Sequence, residues 1–241
     1  MTGIIWGLLA AVFIGVSDAV ARSTTQKVSI SILILAVMSL STVGLSVLFM
    51  FTDDWPRWHG YAWAVSAASG ALNLVALMFL YKAIERGPVA VASPAASSFT
   101  VMLVAMNAFA GQTFSLTQGL AIALVFGGVI MLSRPSKNSV SEPDYDAAWL
   151  RTTALLGLAT AFTVSLRMFF AQEASAELGP MPALYLNRMF ALISVLILVA
   201  LQLQKGQKLN TPKGKMAVLV FAQATLEVAA LWAFLIGSQG D

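Results

Sequence analysis

The sequence predicts an all-α membrane protein, a multi-pass helical bundle of two inverted five-helix repeats with the second repeat cut short. Three observations predict it. The chain is 59% hydrophobic and only 10% charged, with a mean hydropathy of +0.82. Soluble domains carry about 25% charged residues, so a chain this apolar uses lipid as its solvent. Apolar runs recur along its length, each near the ~20 residues that cross a bilayer as helix. The second half also repeats the small-residue pattern of the first, about 150 residues on.

Eight spans are expected, at 4–22, 30–51, 61–82, 88–110, 117–134, 151–172, 182–203 and 216–236. Charge and turn residues separate them: Lys27, Asp53-Asp54-Trp55-Pro56, Gly87-Pro88, Gly111-Gln112, Gly179-Pro180 and Lys213-Gly214-Lys215. The first span is read as a retained helix. Ala19-Val20-Ala21 imitates a signal cleavage site, but no basic residue precedes the run and Asp18 interrupts its end. The stretch "RPSKNSVSEPDYD" is rich in serine, proline and charge and reads as a flexible linker. The expected organisation is therefore a first repeat over 1–134, a linker over 135–149 and an incomplete three-helix repeat over 150–241.

With loops numbered alternately, Lys and Arg fall mostly on one side. Arg22, Lys27, Lys82, Arg86, Arg134, Lys137, Arg151, Lys205, Lys208, Lys213 and Lys215 share it, and Arg57 alone lies opposite. The positive-inside rule makes the richer side cytoplasmic and places the N-terminus outside. The expected location is the plasma membrane, or the inner membrane in a bacterium. The net charge of +3 is dispersed and forms no patch for nucleic acid.

The duplication is legible span by span. Gly7, Ala11 and Gly15 map onto Gly157, Ala161 and Ser165 with an offset of 150, and the same offset lays span 7 on span 2. Small residues every four positions form a groove that admits another helix closely. Span 3 matches span 8 at an offset of 153, so that Gly87 aligns with Gly240. Two spans follow Gly87 and none follows Gly240, so the parent unit is expected to have five plus five helices. Five spans per unit put the two copies in opposite orientations.

The segment "LYKAIERGPVAVASPAASSFTVMLVAMNAFAGQTFSLTQGLAIALVFGGVIMLS" resembles the hallmark of the EamA family, within the drug/metabolite transporter superfamily. Its marks are a Tyr-x-Ala-x-x-x-Gly-Pro corner, a small-residue helix, a short Gly-x-x-Phe-Ser loop and a glycine-bearing helix. "GIIWGLLAAVFIG" resembles the family's opening helix, and "LYLNRMFALISVLILV" its second helix, with an arginine near the start. Two positions depart from the pattern: Gln112 stands where an acidic residue is common, and Met38 stands where the second-helix arginine would lie in the first half. The resemblance implies a permease for small polar metabolites, with amino-acid or related export foremost, working by alternating access. The implied partners are the lipid bilayer and a small-molecule substrate, with room for a homo-oligomer and no role for nucleic acid. A rival from another class is a non-transporting membrane scaffold or partner subunit, or an inactive fragment of a ten-helix transporter.

Physical reading of the residues supplies the candidate site. Gly87 suits a left-handed helix end and Pro88 a first turn. Pro94 frees the carbonyl of Ala90 in a helix thinned by Ala92, Ser93, Ala95, Ala96, Ser97 and Ser98. Such a helix lines a water-filled cavity or packs tightly against neighbours. Polar groups within spans each cost a few kcal/mol at mid-bilayer, about 2.5–3.5 for a charge. The candidate substrate-binding residues are Glu227, Arg188, Arg167, Asn73, Asn187, Ser97 and Trp232. Glu227 is expected to pair with Arg188 or Arg167, either holding an anionic substrate group or locking the bundle. Asp18 is expected to pair locally with Arg22, four residues on. The sole histidine, His59, reads as a solvated loop residue. With no cysteine and no HExxH, nucleophile–base pair or phosphate loop, the sequence offers no catalytic residues, no metal ligands and no cofactor site, so an enzyme is not expected.

Overall fold

A computed structural model of the protein describes residues 2–52, 54–111 and 146–238, with helical positions at 116, 119, 120, 123, 124 and 127. Its helices are α1 (Thr2–Thr25), α2 (Ile30–Thr52), α3 (Gly60–Arg86), α4 (Val89–Ser97), α5 (Phe99–Phe109), α6 (Ala147–Leu178), α7 (Pro180–Gln204) and α8 (Lys215–Ser238). No strand occurs among the described residues. Among the described residues, six helices are long and apolar enough to cross a membrane: α1, α2, α3, the α4–α5 run, α6 and α7. The chain is thus a helical, multi-pass membrane protein. The expected fifth span, 117–134, lies largely outside the described residues, as does most of the expected linker, 135–149. The expected eighth span falls on α8.

Span 4 is one run in the sequence and two helices in the structure. Pro94 inside α4 cannot donate to the ladder, and the helix ends three residues later. Ser98 forms the joint; its Oγ donates to the carbonyl of Ala95 at 2.6 Å. Helix α6 is longer than the expected 151–172, extending at both ends to cover 147–178.

The chain forms two compact units, Met1–Leu74 with Phe170–Asp241, and Val75–Phe169. In the first unit α1 packs along α8, and α2 packs against α7 and α8. Its fully buried side chains include Leu33, Ile34, Val37, Met38, Leu45 and Phe49 on α2, and Leu186 and Val195 on α7. At one end of α2, Phe49, Trp55 and Tyr185 stack pairwise with ring centroids 5.2–5.7 Å apart. A smaller apolar cluster joins Val65 of α3, Phe170 and Ala174 of α6, and Ala183 of α7.

The second unit explains the Gly-Pro corner. Gly87 has φ 62°, the left-handed turn that lets α3 stop and α4 begin. Its carbonyl accepts from Thr153 Oγ1 at 3.0 Å and from Trp149 Nε1 at 3.3 Å. The Arg86 guanidinium lies 3.7 Å from the centre of the Trp149 ring, a cation–π contact. Farther along α6, Gly157 meets the α4 backbone so closely that an added Cβ would stand 2.5 Å from Ala95 Cβ and 3.0 Å from Ala92 O. Ser165 Oγ donates to the Phe99 carbonyl at 2.8 Å. The stripe Gly157, Ala161 and Ser165 therefore works as its spacing predicts, admitting a thin helix.

Candidate substrate site

The first unit holds a cluster of buried polar side chains contributed by α2, α3 and α7. On α3, Ser66, Ser69 and Asn73 sit three and four residues apart, hence on one face. All are buried, with Asn73 5% exposed. Gly70 lies among them and lets α7 approach; an added Cβ would stand 2.8 Å from both the Asn187 carbonyl and the Ala191 nitrogen. That approach brings Asn187, 2% exposed, onto α3. Asn187 Nδ2 donates to Ser69 Oγ at 2.6 Å, and Asn73 Nδ2 lies 3.5 Å from Asn187 Oδ1. The amides thus meet each other rather than lipid, as polar groups in a bilayer must.

Helix α2 contributes a sulfur. Met38 is fully buried, and its Sδ lies 3.8 Å from Asn73 Nδ2 and 3.7 Å from Arg188 Nη1. Arg188 follows Asn187 on α7 and is half-buried, so its guanidinium borders the cluster. One turn along α2 from Met38, the Thr42 hydroxyl is buried with no hydrogen-bond partner among the described residues; the Ser66 hydroxyl on α3 is the same. A buried, unsatisfied hydroxyl costs about 1–3 kcal/mol.

A second polar seam runs between α1 and α8. Gln223 is fully buried, and its Oε1 accepts from Thr24 Oγ1 at 2.8 Å. Ser17 Oγ donates to the Gln223 carbonyl at 3.4 Å. Asp18, next along α1, lies in the field of Glu227, one turn on from Gln223.

The first part of the chain, from α1 through α5, carries a family signal. The model of the EamA-like transporter family matches residues 1–134, more than half of the chain's 241 residues. The chain belongs to that family. It is accordingly a membrane transporter of the drug/metabolite type. No curated protein and no solved structure gives a match.

In this EamA-like protein the seven residues expected at the site are contributed by α3, α4, α6, α7 and α8. Asn73, Asn187 and Arg188 come together through Met38. Glu227 lies on α8, where its charge acts on the buried Asp18 of α1. Trp232, also on α8, borders an open apolar groove of about 320 Å³ shared with Trp6, Leu9 and Phe13 of α1. Ser97 and Arg167 belong to the second unit. There Ser97 closes α4 beside the Ser98 joint, and Arg167 is half-buried two residues beyond Ser165. Sequence reasoning passed over Ser69, Met38, Thr24 and Gln223. The spacing of Ser66, Ser69 and Asn73 was the available signal for the first. Met38 stood out only as a missing arginine.

Proposed function

We propose that this transporter moves small polar metabolites, amino acids or related compounds, across the plasma membrane by alternating access, with export the favoured direction. The polar cluster on α2, α3 and α7 is the substrate site. Asn73 and Asn187 offer amides, Arg188 offers a guanidinium to an anionic group, and the Thr42 and Ser66 hydroxyls complete the contacts. The observation that carries this reading is the pair of buried hydroxyls left unsatisfied beside two amides and a guanidinium. A polar ligand or its water would supply their missing partners. Glu227, with Asp18 beside it, provides the ionisable group whose charge changes during the cycle. Arg167, Ser97 and Trp232 contact substrate along its path.

The moving parts are two inverted repeats. Counterpart helices pair in counterpart ways: α1 packs on α8, while the first turns of α3 pack on the last turns of α6. The N-terminus faces outward, and the corner bearing Lys82 and Arg86 faces the cytoplasm.

Two experiments test the proposal. Purified protein in liposomes is given a panel of labelled amino acids, alone and as Arg188→Gln and Asn187→Leu variants. Uptake by the parent protein, reduced at least tenfold in both variants, supports the site. No flux from folded protein removes the transport reading and favours a scaffold. For the repeats, the chain contains no cysteine, so single cysteines at Lys27 and Gly179 are labelled from one side. Reaction from the same face would remove the inverted arrangement.

A further inference from the structure

His59 stands immediately before α3. Its backbone carbonyl accepts from the Trp63 amide at 2.9 Å, so it caps the helix. Its side chain caps as well: Nδ1 accepts from the Ala62 amide at 3.4 Å. A ring nitrogen that accepts from N–H carries no proton, which leaves the proton on Nε2. Nε2 lies 3.8 Å from Oε2 of Glu177, in the last turn of α6, and both side chains are about half exposed, at 50% and 49%. One turn back on α6, Glu173 Oε2 accepts from Tyr61 OH at 3.3 Å. Two side-chain contacts therefore tie the start of α3 to the end of α6. The same ends of α3 and α6 also share the apolar cluster of Val65, Phe170 and Ala174, with Ala183 of α7.

The two nitrogens of His59 serve different helices, and a second proton treats them differently. Imidazole changes charge between about pH 5 and 8. Protonation places a hydrogen on Nδ1, which then donates and no longer accepts from Ala62. The same proton turns the Nε2 contact into an ion pair with Glu177, with the Glu173 carboxylate one turn away. The other titratable or charged groups nearby are Tyr61 on α3, and Asp54 and Arg57 in the segment before it. The first residues of α7, Pro180–Asn187, carry no ionised side chain.

We propose that His59 is a proton-operated latch between the start of α3 and the end of α6: neutral, it caps α3; charged, it releases the cap and holds Glu177. The latch does not depend on which substrate the transporter carries. Acid on this face tightens the α3–α6 tie and loosens the first turn of α3, so the trade is between helix integrity and helix pairing.

The test is hydrogen exchange of the α3 first-turn amides, Tyr61 to Trp63, in lipid nanodiscs between pH 5.5 and 8, corrected for the intrinsic pH dependence of exchange. Protection at low pH is expected to fall about 2- to 30-fold, the range a lost N-cap produces. His59→Asn keeps a capping side chain and carries no charge, so its protection is expected to stay constant. Glu177→Gln removes the partner of the imidazolium, so the gain in protection of the last α6 turn, residues 175–178, that the parent shows at low pH is expected to disappear. Constant protection in the parent protein, an undiminished change in His59→Asn, or an undiminished low-pH gain at residues 175–178 in Glu177→Gln would each overturn the latch. Far-UV helicity of each variant, unchanged from the parent, certifies that the comparison is between folded proteins.

Discussion

Gly70→Ala is the smallest change that tests how the candidate site is held together. The added methyl would stand 2.7 Å from Phe190 Cβ and 2.8 Å from the Asn187 carbonyl and the Ala191 amide nitrogen, where ordinary contact begins at 3.4 Å. Two of those three atoms are backbone and cannot swing aside, so α3 and α7 must part by about 0.6 Å. The Asn73–Asn187 contact already sits at 3.5 Å, and that shift breaks it. Overpacking of this kind costs about 1–3 kcal/mol. Each interhelical hydrogen bond lost adds about 0.6 kcal/mol, the average measured within membranes. The comparison is Gly15→Ala on α1, where nothing lies within 4 Å of the added methyl. Equilibrium unfolding of both variants in mixed detergent micelles reads the difference. Gly15→Ala should fall within about 0.5 kcal/mol of the parent. If Gly70→Ala unfolds at the same denaturant concentration as Gly15→Ala, close approach of these helices is not what positions Asn187, and the reasoning fails.

Other outcomes follow from the same geometry. Ser165→Ala should lower stability by about 0.6 kcal/mol, because it removes the donor to the Phe99 carbonyl; the same unfolding assay checks it. Trp149→Leu should lose the ring beneath Arg86, worth about 0.5–1 kcal/mol, together with the indole hydrogen bond to the Gly87 carbonyl; a double-mutant cycle with Arg86→Met should isolate the ring–guanidinium part. Met38→Arg places a second cation against Arg188 and should destabilise the first unit, while Met38→Arg with Arg188→Met should recover most of the loss. Glu227→Gln in liposomes should flatten the pH response of transport; an unaltered response would remove Glu227 from the cycle.

The helices were legible because bilayer thickness sets a length that apolar runs must meet, and the runs at 30–51 and 182–203 lie within α2 and α7. The break in span 4 was half legible. Pro94 announced a weakened ladder, but only the joint at Ser98 shows where the helix stops. Partners across helices were not legible, because spacing reports only the neighbours on a residue's own helix. Asp18 illustrates this: Arg22 is its natural partner by spacing, yet the side chain is buried and the charge that acts on it is that of Glu227 on α8. Asn73 and Asn187 were each conspicuous as amides within apolar runs. Their meeting depends on the absence of a side chain at Gly70, which no periodicity reveals. Gln223 was overlooked because a single glutamine in a span looks tolerable until its complete burial against Thr24 is seen.

The contact between Met38 and Arg188 bears on the proposed repeats. The two residues are 150 positions apart, the interval at which the sequence is expected to repeat. If the halves are two copies of one unit, as proposed, these are copies of one position, and such copies touch only on the axis that relates the halves. Arginine at both places would then press two guanidinium groups together in a medium that screens them poorly. A thioether in one copy relieves that conflict and leaves the other arginine in place.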